Sequence, residues 1–444
     1  RLRARLRAGR QWRVTLMRAF TISRAAVCSA FVLAAAAAAG AQSIAITGGT
    51  VYPVSGPKIE HGTVLITNGK VAAVGANVTI PAGATRIDAT GKWVTPGLFN
   101  AATTLGLAEG NPGSGGYNDS RAKGEKGLSA SFNAWEGMNP ASTFIPPTRK
   151  DGITTVVVAP SRGNLIGGRA AVIDLNGESV AAMLVKGPVA MVAELGEGAE
   201  ARAEALAHLR EVLSDAKVYG LRKAAYDNGT IRAMAASRED LEALAPVVAG
   251  TMPIVVSVNR ASDIRSALTV AKQFGLKLVI EGGAEAWEVA KEIAAAHVPV
   301  LAGAMNNIPG SFATLGHRQE NLALLRAAGV TVIIVGDGGG LGEDNYNARN
   351  VRYEAGNAVA YGMKWDDALR GITLAPAELF GVADRVGSLQ IGREADVVVW
   401  SGDPFEFATV AEHVYVRGVE NTERTRQEEL TDRYKSKPPG YRKP

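Results

Sequence analysis

Cysteine is almost absent: the 444 residues contain one, Cys28. No intrachain disulfide, cysteine metal cluster or resolving redox pair can be built from it. Histidine is nearly as scarce, and none of the five (His61, His208, His297, His317, His413) is paired at metal-ligand spacing. Acidic residues are missing from residues 1–41, which carry eight arginines (Arg1, Arg3, Arg5, Arg7, Arg10, Arg13, Arg18, Arg24). The chain's basic balance, 48 Lys+Arg against 43 Asp+Glu, therefore resides in that segment, and residues 42–444 carry a net charge of −3. A nucleic-acid binder clusters its basic residues on a folded face, so this distribution argues against that class. Long apolar runs are missing too. The longest, Ala25–Ala39, is shorter than the roughly 20 residues a membrane-spanning helix needs.

What is present is an ordinary globular composition, 47% hydrophobic and 20% charged, long enough for a large core. The first 41 residues read as a leader. Met17 is the expected start, Arg18 and Arg24 form a positive segment, Ala25–Ala39 an uncharged stretch, and Ala39-Gly40-Ala41 a small-x-small cleavage site. Cleavage near Ala41 predicts an exported, periplasmic or secreted protein with no membrane span in the mature chain. Cys28 is lost with the leader, which suits an oxidising compartment without disulfides.

The expected class is α/β. Residues 42–95 form the first part of a small β-sandwich. There Val64–Thr67, Asn68-Gly69 and Lys70–Val74 give a hairpin, because Asn-Gly supplies the positive-φ pair of a type I′ turn. Residues 96–385 alternate β-like runs with helical patterns. The runs are Gly97–Thr104, Thr154–Ala159, Ala171–Leu175, Val189–Glu194, Ile254–Asn259, Leu278–Glu281, Val298–Ala302 and Val330–Gly336. Helical patterns occupy Ala199–Ala216, Arg238–Val248, Ala261–Phe274, Ala284–Ala296, His317–Ala328, Asn347–Tyr361 and Trp365–Phe380. Eight runs with helical crossovers predict a (β/α)8 TIM barrel. The third run could instead belong to an excursion hairpin. Residues 106–149 are too long for an ordinary connection and suggest a lid or an excursion. Residues 386–420 return to β texture and complete the sandwich from the other chain end. Residues 421–444 are charged, then Pro-rich, and predict a solvated helix and frayed tail.

Four stretches carry a family resemblance: WVTPGLFNAATTLGL (93–107), DGITTVVVAP (151–160), EAGNAVAYGM (354–363) and ITLAPAELFGVADRVGSLQIGREADVVVWSGDPFE (372–406). Through them the chain resembles the amidohydrolase superfamily, in its exported imidazolonepropionase/dihydroorotase-like branch. The resemblance implies a distorted barrel beside a composite β-sandwich, and hydrolysis of carbon–nitrogen bonds other than peptides, such as cyclic amides. It also implies one or two divalent metals. Their ligands would be a His-x-His pair after the first strand, Lys or Glu on the fourth and His on the fifth and sixth, with an Asp ending the eighth. The metal lowers the pKa of a bound water, and the Asp accepts its proton.

This chain departs from that set. The histidine positions after the first strand hold Ala102 and Thr104. The fourth-strand position holds Val192, with Glu194 as its neighbour. The fifth offers Ser257 or Asn259, and the sixth Gly282. Ala, Val and Gly have no donor atom, and neutral oxygens are poor zinc ligands. No metal is expected as a cofactor unless replacement ligands exist, in which case zinc would be the candidate. Asp337 survives as the one candidate catalytic group, although an Asp before three glycines is also a natural turn former. Glu281, Asn259 and His317 are candidate substrate-binding residues, and Glu281 could equally pair with Arg260 or another base. Ala159-Pro160-Ser161-Arg162-Gly163 narrowly misses the nucleophile-elbow pattern, without a histidine placed as base.

Beside an active hydrolase of carbon–nitrogen bonds, with replacement ligands around Asp337, Glu281, Glu194 and His317 or a metal-free acid/base route, three readings follow. One is an amidohydrolase-family protein with a degenerate metal site, weak or inactive alone. Another is a non-catalytic subunit, in a homo-oligomer or beside a metal-competent relative. The last is a periplasmic binding protein for a small ligand, such as a cyclic amide.

Overall fold

In the computed structural model, residues 43–110, 116–195, 201–305, 308–336 and 343–435 are described. The leader and Asp337 lie outside them.

Five strands open the chain: β1 (Ser43–Val51), β2 (Ile59–Thr67), β3 (Lys70–Gly75), β4 (Thr85–Asp88) and β5 (Trp93–Pro96). The β2–β3 hairpin turns at Asn68 (φ 52°) and Gly69 (φ 74°), with Thr67 opposite Lys70, as the type I′ geometry requires. Three strands from the far end join them: β16 (Val397–Trp400), β17 (Ala411–Val416) and β18 (Val419–Glu420). The order is β18-β17-β16-β5-β1-β2-β3, with β4 beside β1. The expected sandwich is thus one continuous, branched sheet. The reason is the length of β1, which pairs with β4 over Ile44–Thr47 and with β5 over Thr50–Val51. Ile46, Val64, Ile66, Val94, Val397, Val399 and Tyr415 form its buried cluster.

The barrel follows immediately, from β6 (Leu98–Thr103), through a two-stranded outlier of β7 (Ala108–Glu109) and β8 (Tyr117–Asn118), to β9 (Ile153–Val158), β10 (Ile166–Asp174), β11 (Leu184–Glu194), β12 (Ile254–Val258), β13 (Leu278–Gly282), β14 (Val300–Ala302) and β15 (Val332–Ile334). All eight expected runs are strands. Their order is β6-β9-β10-β11-β12-β13-β14-β15, and β15 returns beside β6.

One strand runs the wrong way for a regular (β/α)8 barrel. β10 is antiparallel to both β9 and β11. The cause is connection length. Only residues 159–165 join β9 to β10, and a parallel return needs a dozen residues or more. The helices Arg238–Val248 and Ala261–Phe274 match their expected bounds, while the Trp365–Phe380 pattern breaks into Trp365–Gly371 and Leu374–Leu379. Segment 106–149 is an excursion rather than a bare loop. Its Leu107, Leu128, Ala130, Trp135 and Met138 are buried, and bridges join Leu128 to Ile166 and Asn133 to Arg169 of β10. The tail holds the helix Arg426–Tyr434, capped reciprocally by Thr425 and Glu428.

Candidate functional site at the barrel mouth

Strand alternation decides which side chains enter the barrel. The inward cluster contains Phe99 and Ala101 of β6, Val157 of β9, Ala170 and Val172 of β10, Ala190 and Val192 of β11, Val255 of β12, Val279 of β13, Leu301 of β14 and Ile333 of β15. The upper part of this interior is a cavity of about 40 Å³. Phe380, which follows the helix Leu374–Leu379, is buried among the same residues and lines the cavity.

A bulge shapes one wall. Between Asn100 and Thr103 the β6 strand gains one residue on β9. Ala101, Ala102, Thr103 and Thr104 consequently all line the cavity, where strict alternation would present every second one. Thr103 donates its hydroxyl to the Val157 carbonyl (2.9 Å).

Among the described residues, the charge in the cavity lining comes from two. Glu281 ends the inward row of β13, in register with Ser257, which is itself in register with Glu194. Arg162, from the β9–β10 connection, meets the Glu281 carboxylate at 3.0 Å. The glutamate side chain is 9% exposed and the arginine 44%. The carboxylate is therefore a fixed wall group, and the guanidinium faces outward. Beside them Ser161 shares a short hydroxyl contact with Ser120, whose own hydroxyl lies 2.5 Å from the Asn118 amide oxygen. Among the described residues, no histidine lines the cavity with Ser161.

The residues at the metal-ligand positions separate into two groups. Ala102, Thr104 and Val192 line the cavity. Gly282 does not; at φ 87° it turns the chain out of β13, and Asn259 lies against it. Asn259 accepts a hydrogen bond from the Ala284 backbone (3.3 Å), so its amide braces that turn. His317 stands in the connection after β14 with a buried Nδ1 and is not among the lining residues. Glu281 pairs with Arg162 rather than Arg260, which donates to the Phe312 carbonyl (3.3 Å). Among the described residues no group of three or more His, Cys, Asp and Glu converges as a metal site. Of the described positions, Ala102 and Val192 offer no donor atom and Thr104 only a neutral oxygen, while Glu281 is paired with Arg162. Sequence reasoning missed Arg162, although its place just after a strand of the C-terminal barrel face was a signal.

The Amidohydrolase family model matches residues 139–426. The amidohydrolase tasK of Hapsidospora irregularis is 25% identical over 394 residues, which cover 80% of this chain and 39% of that protein. The chain therefore spans about two fifths of that relative's length. The imidazolonepropionase of Acidiphilium cryptum is 24% identical over 374 residues, covering 78% of this chain and 89% of that one. A solved amidohydrolase from Thermotoga maritima MSB8 superimposes with a TM-score of 0.77 at 30% identity, covering 86% of this chain and 100% of that one.

Proposed function

The chain belongs to the amidohydrolase family, and from that premise we propose that its barrel mouth binds a small molecule without metal-assisted hydrolysis. Turnover of carbon–nitrogen bonds by this chain alone is then weak or nil. The observation that supports this reading is the chemistry of the cavity wall. The family's first two ligand positions and its fourth-strand position bring Ala102, Thr104 and Val192 to the cavity, and none of these can hold a divalent ion in place. Without a metal, water activation falls to a general base, which contributes only about 10²–10⁴-fold. The arginine-then-alanine leader with its Ala39/Ala41 site supports action outside the cytoplasm.

Elemental analysis of the purified chain, paired with hydrolysis assays with and without added zinc, tests the reading. The expected result is substoichiometric metal and no zinc-stimulated turnover. A tightly held ion in stoichiometric amount, with activity lost on its removal, would overturn it.

A further inference from the structure

The antiparallel course of β10 has a second consequence, at the other end of the barrel. β12 begins to pair with β11 at Met191. Residues 184–190 of β11 therefore run on past the start of β12, held by β10 alone, with Lys186 opposite Val172 and Leu184 opposite Ile173. This overhang forms one wall of a groove of about 800 Å³, and the residues leading into β12, β13 and β14 form the other. The volume falls within the range of small-molecule sites, about 300–1,000 Å³. The groove opens among strand starts, at the face opposite the Arg162–Glu281 pair, whose members sit at strand ends.

Its floor is apolar and its rim basic. Val189, Met252, Leu278, Val279 and Phe380 are buried lining residues, whereas Lys186, Lys277 and His297 are exposed ones. Lys186 donates to the carbonyls of Phe380 (3.2 Å) and Gly381 (3.1 Å). Among the described residues no carboxylate pairs with Lys186 or Lys277, and the acid in the lining, Glu378, is held by Arg370. Two lysine charges are left over, so the complementary head is an anion.

An extended peptide does not suit the overhang, because strand addition needs free backbone groups along an edge. Pro188 has no N–H to offer, and the Val185 carbonyl is taken by Arg385 (2.8 Å). An unbranched apolar chain with one anionic end asks nothing of the backbone. The three strand spacings from β11 to β14 span about 14 Å, room for a chain of roughly ten carbons.

We propose that the groove at the N-terminal face of the barrel binds a free medium-chain aliphatic carboxylate, its chain along the apolar floor and its head at the lysine rim. This site is separate from the mouth cavity, although Phe380 lines both, and it stands whether or not the mouth holds a metal.

Isothermal titration calorimetry on the purified full chain, below micelle-forming concentrations, compares decanoate, octanoate, octanol and octylamine. Decanoate should bind about tenfold tighter than octanoate, since each fully buried methylene is worth about a factor of four and one side of the groove is open. Octylamine, whose cation meets the lysines, should bind at least about tenfold more weakly than octanoate. Lys277→Met should weaken octanoate about threefold, the worth of an exposed ion pair, and Lys186→Met with Lys277→Met about tenfold. Neither should weaken octanol. Thermal melts check the fold of the double variant, which also loses the two carbonyl contacts of Lys186. Lys277→Met breaks no hydrogen bond among the described residues and carries the test by itself. Absence of octanoate and decanoate binding overturns the proposal. So does equal affinity for octanoate and octylamine, or an octanoate affinity that Lys277→Met leaves unchanged.

Discussion

The barrel mouth and the seam between the barrel and the terminal sheet treat charge in opposite ways. At the mouth, one ion pair stands over a small apolar cavity. At the seam, Asp174 at the end of β10 and Asp396 just before β16 are both buried. Arg417 binds Asp174 through its Nε (2.8 Å) and donates its backbone N–H to Asp396 (2.8 Å). Glu394 lies close by, held by Arg385. Burial, reinforced by Asp396, pushes Asp174 up to about 7. Burial likewise takes Asp396 to about 6, and Glu394 adds to the rise. Strongly perturbed carboxylates are often read as marks of an active site. Here they mark a structural joint.

The largest expected effect comes from breaking the seam. Arg417→Ala leaves two buried carboxylates without their cation and should lower unfolding free energy by about 3 kcal/mol. That is the lower end for a broken buried pair, because the Arg417 side chain is itself a third exposed. Chemical denaturation measures it, and a loss below about 1 kcal/mol, the worth of an exposed pair, would make the two regions alike.

The pH dependence should be next in size. The folded chain keeps protons on Asp174 to about pH 7 and on Asp396 to about pH 6, whereas unfolded aspartates release theirs near pH 4. Folded protein therefore binds more protons over that interval, and stability should fall as pH climbs from about 4 to about 7, then level. Below pH 4.5 the slope reverses. Glu242, held down to about 2 by Lys223 and Tyr219, and Glu428, held down to about 2 by Lys150, lose their contribution as they protonate. Melting temperature against pH should peak in mild acid, and Asp174→Asn should flatten the limb nearest neutrality. A melting temperature that rises from pH 5 to 7 would contradict the assignment.

The smallest effect belongs to the mouth. Glu281→Gln removes one charge from a pair whose cation is already 44% exposed, so stability should change by less than about 1 kcal/mol. The same denaturation experiment measures it.

Much of this architecture was legible in the residues. The eight β-like runs and the Asn68-Gly69 turn are local patterns, and each became the element it suggested. The direction of β10 was not evident from its apolar run, because direction depends on how many residues precede the strand. Nor was the Arg162–Glu281 pair, whose members are 119 residues apart in sequence. Ala102, Thr104 and Val192 were assigned to ligand positions because the family pattern fixes those by spacing along a strand. Asn259 and Glu194 were ambiguous because strand ends shift by a residue or two, and only the register of β11, β12 and β13 aligns Glu194, Ser257 and Glu281 in one row.

The terminal sheet sets an order of events in time. β16 pairs with β5, and the Trp400 indole donates to the Thr95 hydroxyl (2.8 Å) across 305 residues of sequence. Until residue 400 has left the ribosome, β5 has no partner on that side and presents Trp93 and Val94 along an unpaired edge. Closing so distant a contact is slow, and an open apolar edge recruits other chains. A molecule cut short before Trp400 should therefore aggregate through its N-terminal strands even if its barrel strands are all present.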